Sequence, residues 1–137
     1  GKEKCDALLK QHQYFLFCNN CLRFTPSKHN NELCCKKQMQ FAGPLWIGSL
    51  FDPLLVKKMN LGALEQIKEE SMINTVGFYD IHHVVSHYKL EMPKLEEIIN
   101  SIKKKKYNAA RTHISPYGIR SDISIKELVE CIKILRK

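Results

Sequence analysis

The sequence has 137 residues, 44% of them apolar and 26% charged, with a formal net charge of +8 and a pI near 9.2. That length suits one domain, or one domain with a short appendage, and the apolar share can fill a core, which excludes a wholly disordered chain. No apolar run approaches the roughly 20 residues of a membrane-spanning helix, and no N-terminal stretch has a secretory layout. An intracellular protein, nuclear or cytoplasmic and without a membrane partner, is expected.

Residues 1 to 42 are polar and Cys-bearing, and an irregular segment is expected there apart from a short strand at Tyr14-Phe15-Leu16-Phe17. In a chain without a secretory signal, six cysteines point to metal binding or core packing rather than to disulfides. Cys18 and Cys21 form a C-x-x-C, half of a zinc knuckle, in which two thiolates can face one ion at about 2.3 Å. The second pair, Cys34 and Cys35, is adjacent, and adjacent side chains tend to diverge. His29 is an alternative ligand, and a degenerate knuckle with spare thiols is the competing reading. A redox motif is disfavoured, because the C-x-x-C runs into a polar loop with Pro26, Ser27 and Asn30. The candidate metal ligands are therefore Cys18, Cys21, Cys34 and Cys35.

Further along, Gly43-Pro44 and Gly48 punctuate an extended segment from Phe41. Asp52-Pro53 supplies an N-cap and a first-turn proline for a helix through Leu55, Val56 and Met59. A second helix is expected from Ala63 to about Met72, with Leu64 and Ile67 on one side. Asp80 then caps a helix with Ile81, Val84, Val85 and Tyr88 on one stripe; His82, His83 and His87 lie opposite and read as a solvated face. Pro93 opens a helix carrying Leu95, Ile98, Ile99 and Ile102, closed by Lys103 to Lys106, whose charges complement its dipole. Tyr107 to Ile114 reads as a strand, Ser115 to Gly118 as a turn and Ile119 to Ile123 as the returning strand. Ser124 and Glu127 form a capping box for a last helix with Ile125, Leu128, Val129, Ile132 and Leu135. The expected fold is α+β: residues 43 to 137 as a small two-layer α/β sandwich with a winged-helix-like helix-turn-helix and hairpin, preceded by the irregular knuckle.

Charge is distributed unevenly. Between Asn100 and Ser121 lie six Lys or Arg residues and no acid, whereas acids gather at Glu65, Glu69, Glu70, Glu91, Glu96, Glu97, Glu127 and Glu130. Cations interleaved with aromatics can pair with phosphates and stack on bases. The candidate nucleic-acid-binding residues, for RNA or DNA, are therefore Lys103, Lys104, Lys105, Lys106, Arg111, His113, Tyr117 and Arg120. No P-loop, G-x-G-x-x-G or G-x-S-x-G is present, so the chain reads as a binding module without a catalytic residue. A winged-helix DNA-binding module, and a structural module that docks a catalytic domain through Trp46 and Gly43-Pro44, are the rival readings.

Gly43-Pro44-Leu45-Trp46-Ile47-Gly48, Asp52-Pro53, Gly77-Phe78-Tyr79-Asp80, Arg111-Thr112-His113 and Pro116-Tyr117-Gly118-Ile119-Arg120-Ser121-Asp122 occur in that order. This series resembles the C-terminal part of the tRNA guanine-N2 dimethyltransferases, which modify guanosine 26 with S-adenosylmethionine, over roughly Tyr14 to Asp122. The resemblance implies a tRNA-binding α/β domain, preceded by a cysteine region that can hold zinc. It also implies that the methyl donor is bound by an N-terminal methyltransferase domain of the parent enzyme, not by this fragment, which is expected to be inactive alone. Cys18 and Cys21 match the first pair of the family's cysteine region; where its second C-x-x-C would stand, Cys35 and Gln38 occupy the two positions.

Overall fold

The aromatic burst at Tyr14–Phe17 becomes the middle of a sheet. In the computed structural model, which describes residues 1–59, 62 and 65–136, the chain divides into two units, Gly1–Leu50 and Phe51–Lys137. The first begins with helix α1 (Lys2–Leu9), which buries no side chain. Strand β1 (His12–Phe17) pairs antiparallel with β2 (Phe24–Ser27) on one side and β5 (Gln40–Trp46) on the other. A small hairpin, β3 (Leu33–Cys34) with β4 (Lys37–Gln38), lies between β2 and β5 in the chain. The Cys-bearing segment is thus a β-structured unit, not an irregular one. Its boundary falls beyond the expected residue 42 because Gln40–Trp46 completes the sheet on β1.

Two sequence features explain how β5 is tolerated. Pro44 has no N–H to give, and β5 is an edge strand. Gly43 has φ 110°, closed to most side chains, where the β1–β5 register slips between Gln13 and Phe15. Trp46 is half-buried, donates Nε1–H to the Ser49 carbonyl at 3.2 Å and meets the His12 ring edge-on at 5.4 Å. The core is small: Leu16, Cys18 and Met39 are buried, with Tyr14, Cys21 and Cys34 packed against them.

In the second unit Asp52 caps α2 (Pro53–Lys58), its Oδ1 accepting the N–H groups of Leu54 at 2.9 Å and Leu55 at 3.2 Å. Helix α3 covers Glu65–Ser71; Ala63 and Leu64, expected in it, lie outside the described residues. There follow β6 (Tyr79–Asp80), α4 (Ile81–Tyr88), α5 (Leu95–Lys104), β7 (Ala109–Arg111), β8 (Gly118–Ser121) and α6 (Ile125–Leu135). The three strands form an antiparallel sheet in the order β6-β8-β7. The periodic positions deliver the core, for Ile81, Val84 and Val85 of α4, Leu95, Ile98 and Ile102 of α5, and Ile125, Leu128, Val129 and Ile132 of α6 are all buried with Ile119. Tyr79 ties this core to its last turn by donating to the Ile123 carbonyl at 2.7 Å, and burial pushes its phenol up to about 12.

Helix and small sheets together make the chain α+β, as expected. The strand expected from Tyr107 to Ile114 shrinks to three residues for a local reason. Side chains take its flanking backbone donors: Asn108 N–H bonds the Asp122 carboxylate at 2.8 Å and His113 N–H bonds Glu70 at 3.1 Å. No helix is long and apolar enough to cross a membrane among the described residues.

Candidate metal centre and nucleic-acid interface

The C-x-x-C sits in the turn between β1 and β2. There Leu22 N–H closes onto the Cys18 carbonyl at 2.8 Å, with Leu22 at φ 58°. Cys34 and Cys35 sit at the β3–β4 hairpin, where Cys34 pairs with Lys37. The loop residues are thus Cys35 and Lys36, with φ of 51° and 62°, the left-handed pair that a type I′ turn requires. Neither is glycine, so the turn holds roughly 1–3 kcal/mol of strain per residue. Its effect is to bring adjacent thiols to one place, against the expected divergence.

Cys18, Cys21, Cys34 and Cys35 place their sulfurs within 4.8 Å of one another. Cys21 and Cys34 are 3.6 Å apart and Cys34 and Cys35 3.9 Å, far beyond a disulfide and close to the ~3.8 Å edge of a tetrahedron with 2.3 Å metal–sulfur bonds. All four are free thiols. His29 does not belong to this group; its backbone N–H is turned to Ser27 Oγ at 3.0 Å. Burial works to raise the Cys18 thiol, but N–H groups of Cys21 and Asn20 and the thiols of Cys21 and Cys34 outweigh it and bring it down to about 7. Burial and the neighbouring thiols push Cys21 up to about 12. Four sulfur donors brought this close together are a ligand set that a soft cation selects.

The second unit holds a buried polar network that sequence reasoning missed. Glu70 of α3 is fully buried and accepts four hydrogen bonds. Thr112 Oγ1 reaches its Oε1 at 2.6 Å and Arg120 Nε reaches the same oxygen at 2.9 Å. His113 meets Oε2 with its backbone N–H at 3.1 Å and with Nδ1 at 2.7 Å. Burial opposes the ionised carboxylate, yet bonds from Thr112 and His113 and the charge of Arg120 hold it below the usual range. A signal was present: Glu70 lies three residues after Ile67 and three before the buried Ile73, on the apolar side of α3.

Arg120 is therefore corrected as an RNA contact. It is 2% exposed, its second bond goes to the Thr75 carbonyl at 2.8 Å, and its guanidinium lies 5.9 Å from the Phe51 ring centre. Its charge serves Glu70. The other candidates are reachable from solvent. Lys103, Lys104, Lys105 and Lys106 are exposed at the end of α5, and among the described residues Arg111 makes one ion pair, an exposed one with Glu96 at 3.5 Å. Such a pair is worth about 0–1 kcal/mol, so a phosphate can displace it. Tyr117 is exposed on the hairpin turn, its ring 4.2 Å from His82 and nearly perpendicular to it. His113 is half-exposed beside Phe51.

Gly118 makes this arrangement possible. A Cβ there would overlap the Thr112 methyl and approach the Phe78 ring at 3.0 Å. Gly118→Ala is expected to cost about 1–3 kcal/mol in a denaturant titration and to move the Thr112 and His113 amide resonances.

Residues 1–133 match the family model for N2,N2-dimethylguanosine tRNA methyltransferase. The chain belongs to this family. A tRNA (guanine(26)-N(2))-dimethyltransferase of Methanocaldococcus jannaschii is 39% identical over 67% of the chain and 28% of its own length. A tRNA (guanine(26)-N(2)/guanine(27)-N(2))-dimethyltransferase of Aquifex aeolicus is 31% identical over 95% of the chain and 37% of its length. Trm1 from Pyrococcus horikoshii, solved in complex with S-adenosyl-L-methionine, superposes with a TM-score of 0.72 at 26% identity, over 96% of the chain and 38% of that protein. This dimethyltransferase-family chain thus spans between a quarter and two-fifths of the length of these relatives.

Proposed function

We propose that this chain is the C-terminal, tRNA-holding part of an S-adenosylmethionine-dependent tRNA guanine-N2 dimethyltransferase, its methyl donor bound by a separate catalytic domain. The observation that carries the reading is the acid-free stretch from Asn100 to Ser121, which folds into the end of α5 and the β7–β8 hairpin with all four lysines exposed. In a chain of this family, that surface suits a phosphate backbone. The element order α3-β6-α4-α5-β7-β8, with the sheet ordered β6-β8-β7, supports reading this unit as winged-helix-like, with the β7–β8 hairpin as its wing.

The rival DNA-reading use of that form would place α5 in a groove. Its first turn carries Glu96 and Glu97, where a recognition helix would need donors that read base edges. Docking through Trp46 loses its support as well, since that ring is half-buried in its own unit.

The first unit is read as a structural zinc module. Its four sulfurs have the number, chemistry and spacing of a closed tetrahedral site, with Cys35 supplying what Gln38 cannot.

The test is binding of the chain to folded tRNA and to a DNA duplex of equal charge across a salt series. Preference for tRNA with a steep salt slope is expected, and neutralising Lys103 to Lys106 should remove about one unit of slope for each lysine that meets a phosphate. An unchanged affinity and slope would remove the lysines from the interface; equal, weak binding to both nucleic acids would overturn the reading.

A further inference from the structure

We propose that His113 is a phosphate-contacting residue of the RNA interface and that Glu70 is the residue that positions it, a step that rests on the reading of the chain as tRNA-holding. The argument begins with the carboxylate. Glu70 accepts from Thr112 Oγ1, Arg120 Nε and the His113 backbone, and it is held in the ionised form. An ionised carboxylate can only accept, so the 2.7 Å contact to His113 Nδ1 requires the proton on Nδ1. The tautomer and the ring plane are thereby set, and Phe51 adds an edge contact at 6.5 Å between ring centres.

What remains is Nε2, on the opposite edge of a ring whose side chain is 46% exposed, with no hydrogen bond to it among the described residues. The charge around the ring makes this nitrogen useful. Arg120 already neutralises Glu70, so a protonated His113 would leave the network with one net positive charge, carried at the surface by an Nε2–H donor. The charged groups that face the ring are Glu70 from α3 and, across it, Arg120 from β8. A purely structural histidine would need only the Nδ1 bond. This one is presented on the same hairpin as Tyr117 and beyond the Arg111 strand, among the cations of the acid-free stretch.

The two nitrogens can be separated by substitution. Asparagine places its amide nitrogen where Nδ1 lies and has nothing at Nε2, so His113→Asn keeps the Glu70 bond and deletes the outward donor. With the 137-residue chain, folded tRNA is titrated between pH 5.5 and 8 at fixed salt, and thermal melting is recorded for each variant. The wild type should bind more tightly at pH 5.5 than at pH 8, since an imidazole with hydrogen on both nitrogens donates to phosphate through Nε2. His113→Asn should melt near the wild type, bind about tenfold more weakly at pH 5.5, and change less in affinity between pH 5.5 and 8. Ring-nitrogen NMR should show the Nδ1–H tautomer at neutral pH, with the other tautomer growing in Glu70→Asp, where the shorter side chain withdraws the acceptor. Wild-type affinity and pH dependence in His113→Asn, or an Nε2–H tautomer in the wild type, would overturn the proposal while leaving tRNA binding intact. Absence of tRNA binding by the wild type would instead sink the parent reading, and this proposal with it.

Discussion

Replacing Arg120 by methionine will destabilise the second unit by about 3–5 kcal/mol, because it strands the fully buried Glu70 carboxylate without its counter-charge. For a unit of this size that corresponds to a fall in melting temperature of well over 10 °C, with roughly 4–8 °C lost per kcal/mol. Glu70→Gln should cost a similar amount by leaving Arg120 uncompensated, whereas the double variant should recover part of the loss, since neither charge then remains buried alone. The pH dependence has a definite sign. The carboxyl of Glu70 is held below its unfolded value, near 4.3, so its contribution is fully present above that value. It is lost as the pH falls through the folded value. Denaturation of wild type and Glu70→Gln between pH 2.5 and 7 should therefore give a stability gap that is constant at neutral pH and closes in acid. A gap independent of pH would show that the carboxylate charge is not what stabilises the unit.

On the proposal that the first unit is a zinc module, a chelator should unfold it and leave the second unit folded. The core cluster of the first unit is Leu16, Cys18 and Met39, with Leu22 also buried, and a core of that size supplies no more than about 3–5 kcal/mol. Holding four thiols together also requires Cys35 and Lys36 in left-handed conformations. An apparent zinc-binding energy of about 10–16 kcal/mol exceeds both demands. Elemental analysis should find about one zinc per chain. A strong chelator should erase the amide signals of β1, β2 and β5 while those of α4, α5 and α6 persist. Cys34→Ser should reproduce this loss, and Cys5→Ser, which alters an exposed thiol outside the cluster, should not. A zinc-free chain whose β1–β5 signals survive the chelator would refute the assignment.

The helices of the second unit were legible because each carries a complete local message. Asp52 before Pro53, Asp80 before Ile81, and Ser124 with Glu127 are start signals whose acceptors lie within three residues of their donors, and all three caps form. The apolar stripe of α5 likewise needs no knowledge of its partner to be read as a buried face. The first unit was less legible. Helix α1 buries nothing, so it leaves no amphipathic pattern, and Gln40–Trp46 is mostly exposed, so it lacks the alternation of a half-buried strand. The cysteine cluster was half legible: the C-x-x-C was visible, but whether Cys34 and Cys35 converge depends on two φ angles that no residue type in the pair favours.

By itself, then, the sequence determined the class of the second unit, the positions of its helices and the cationic character of one stretch, since these depend on period, capping and charge count. It also carried the ordered blocks that mark the family. Only the tertiary structure decided which cations are available. Arg111 and Arg120 are alike in sequence and lie on paired strands, yet one reaches solvent and the other neutralises a buried acid fifty positions earlier. That distinction follows the hairpin register, in which Arg120 lies opposite the buried Ala110 while Arg111 lies opposite Ile119. A contact across such a separation leaves no periodic trace in the chain, and it becomes readable only when folding brings Glu70 and Arg120 to 2.9 Å.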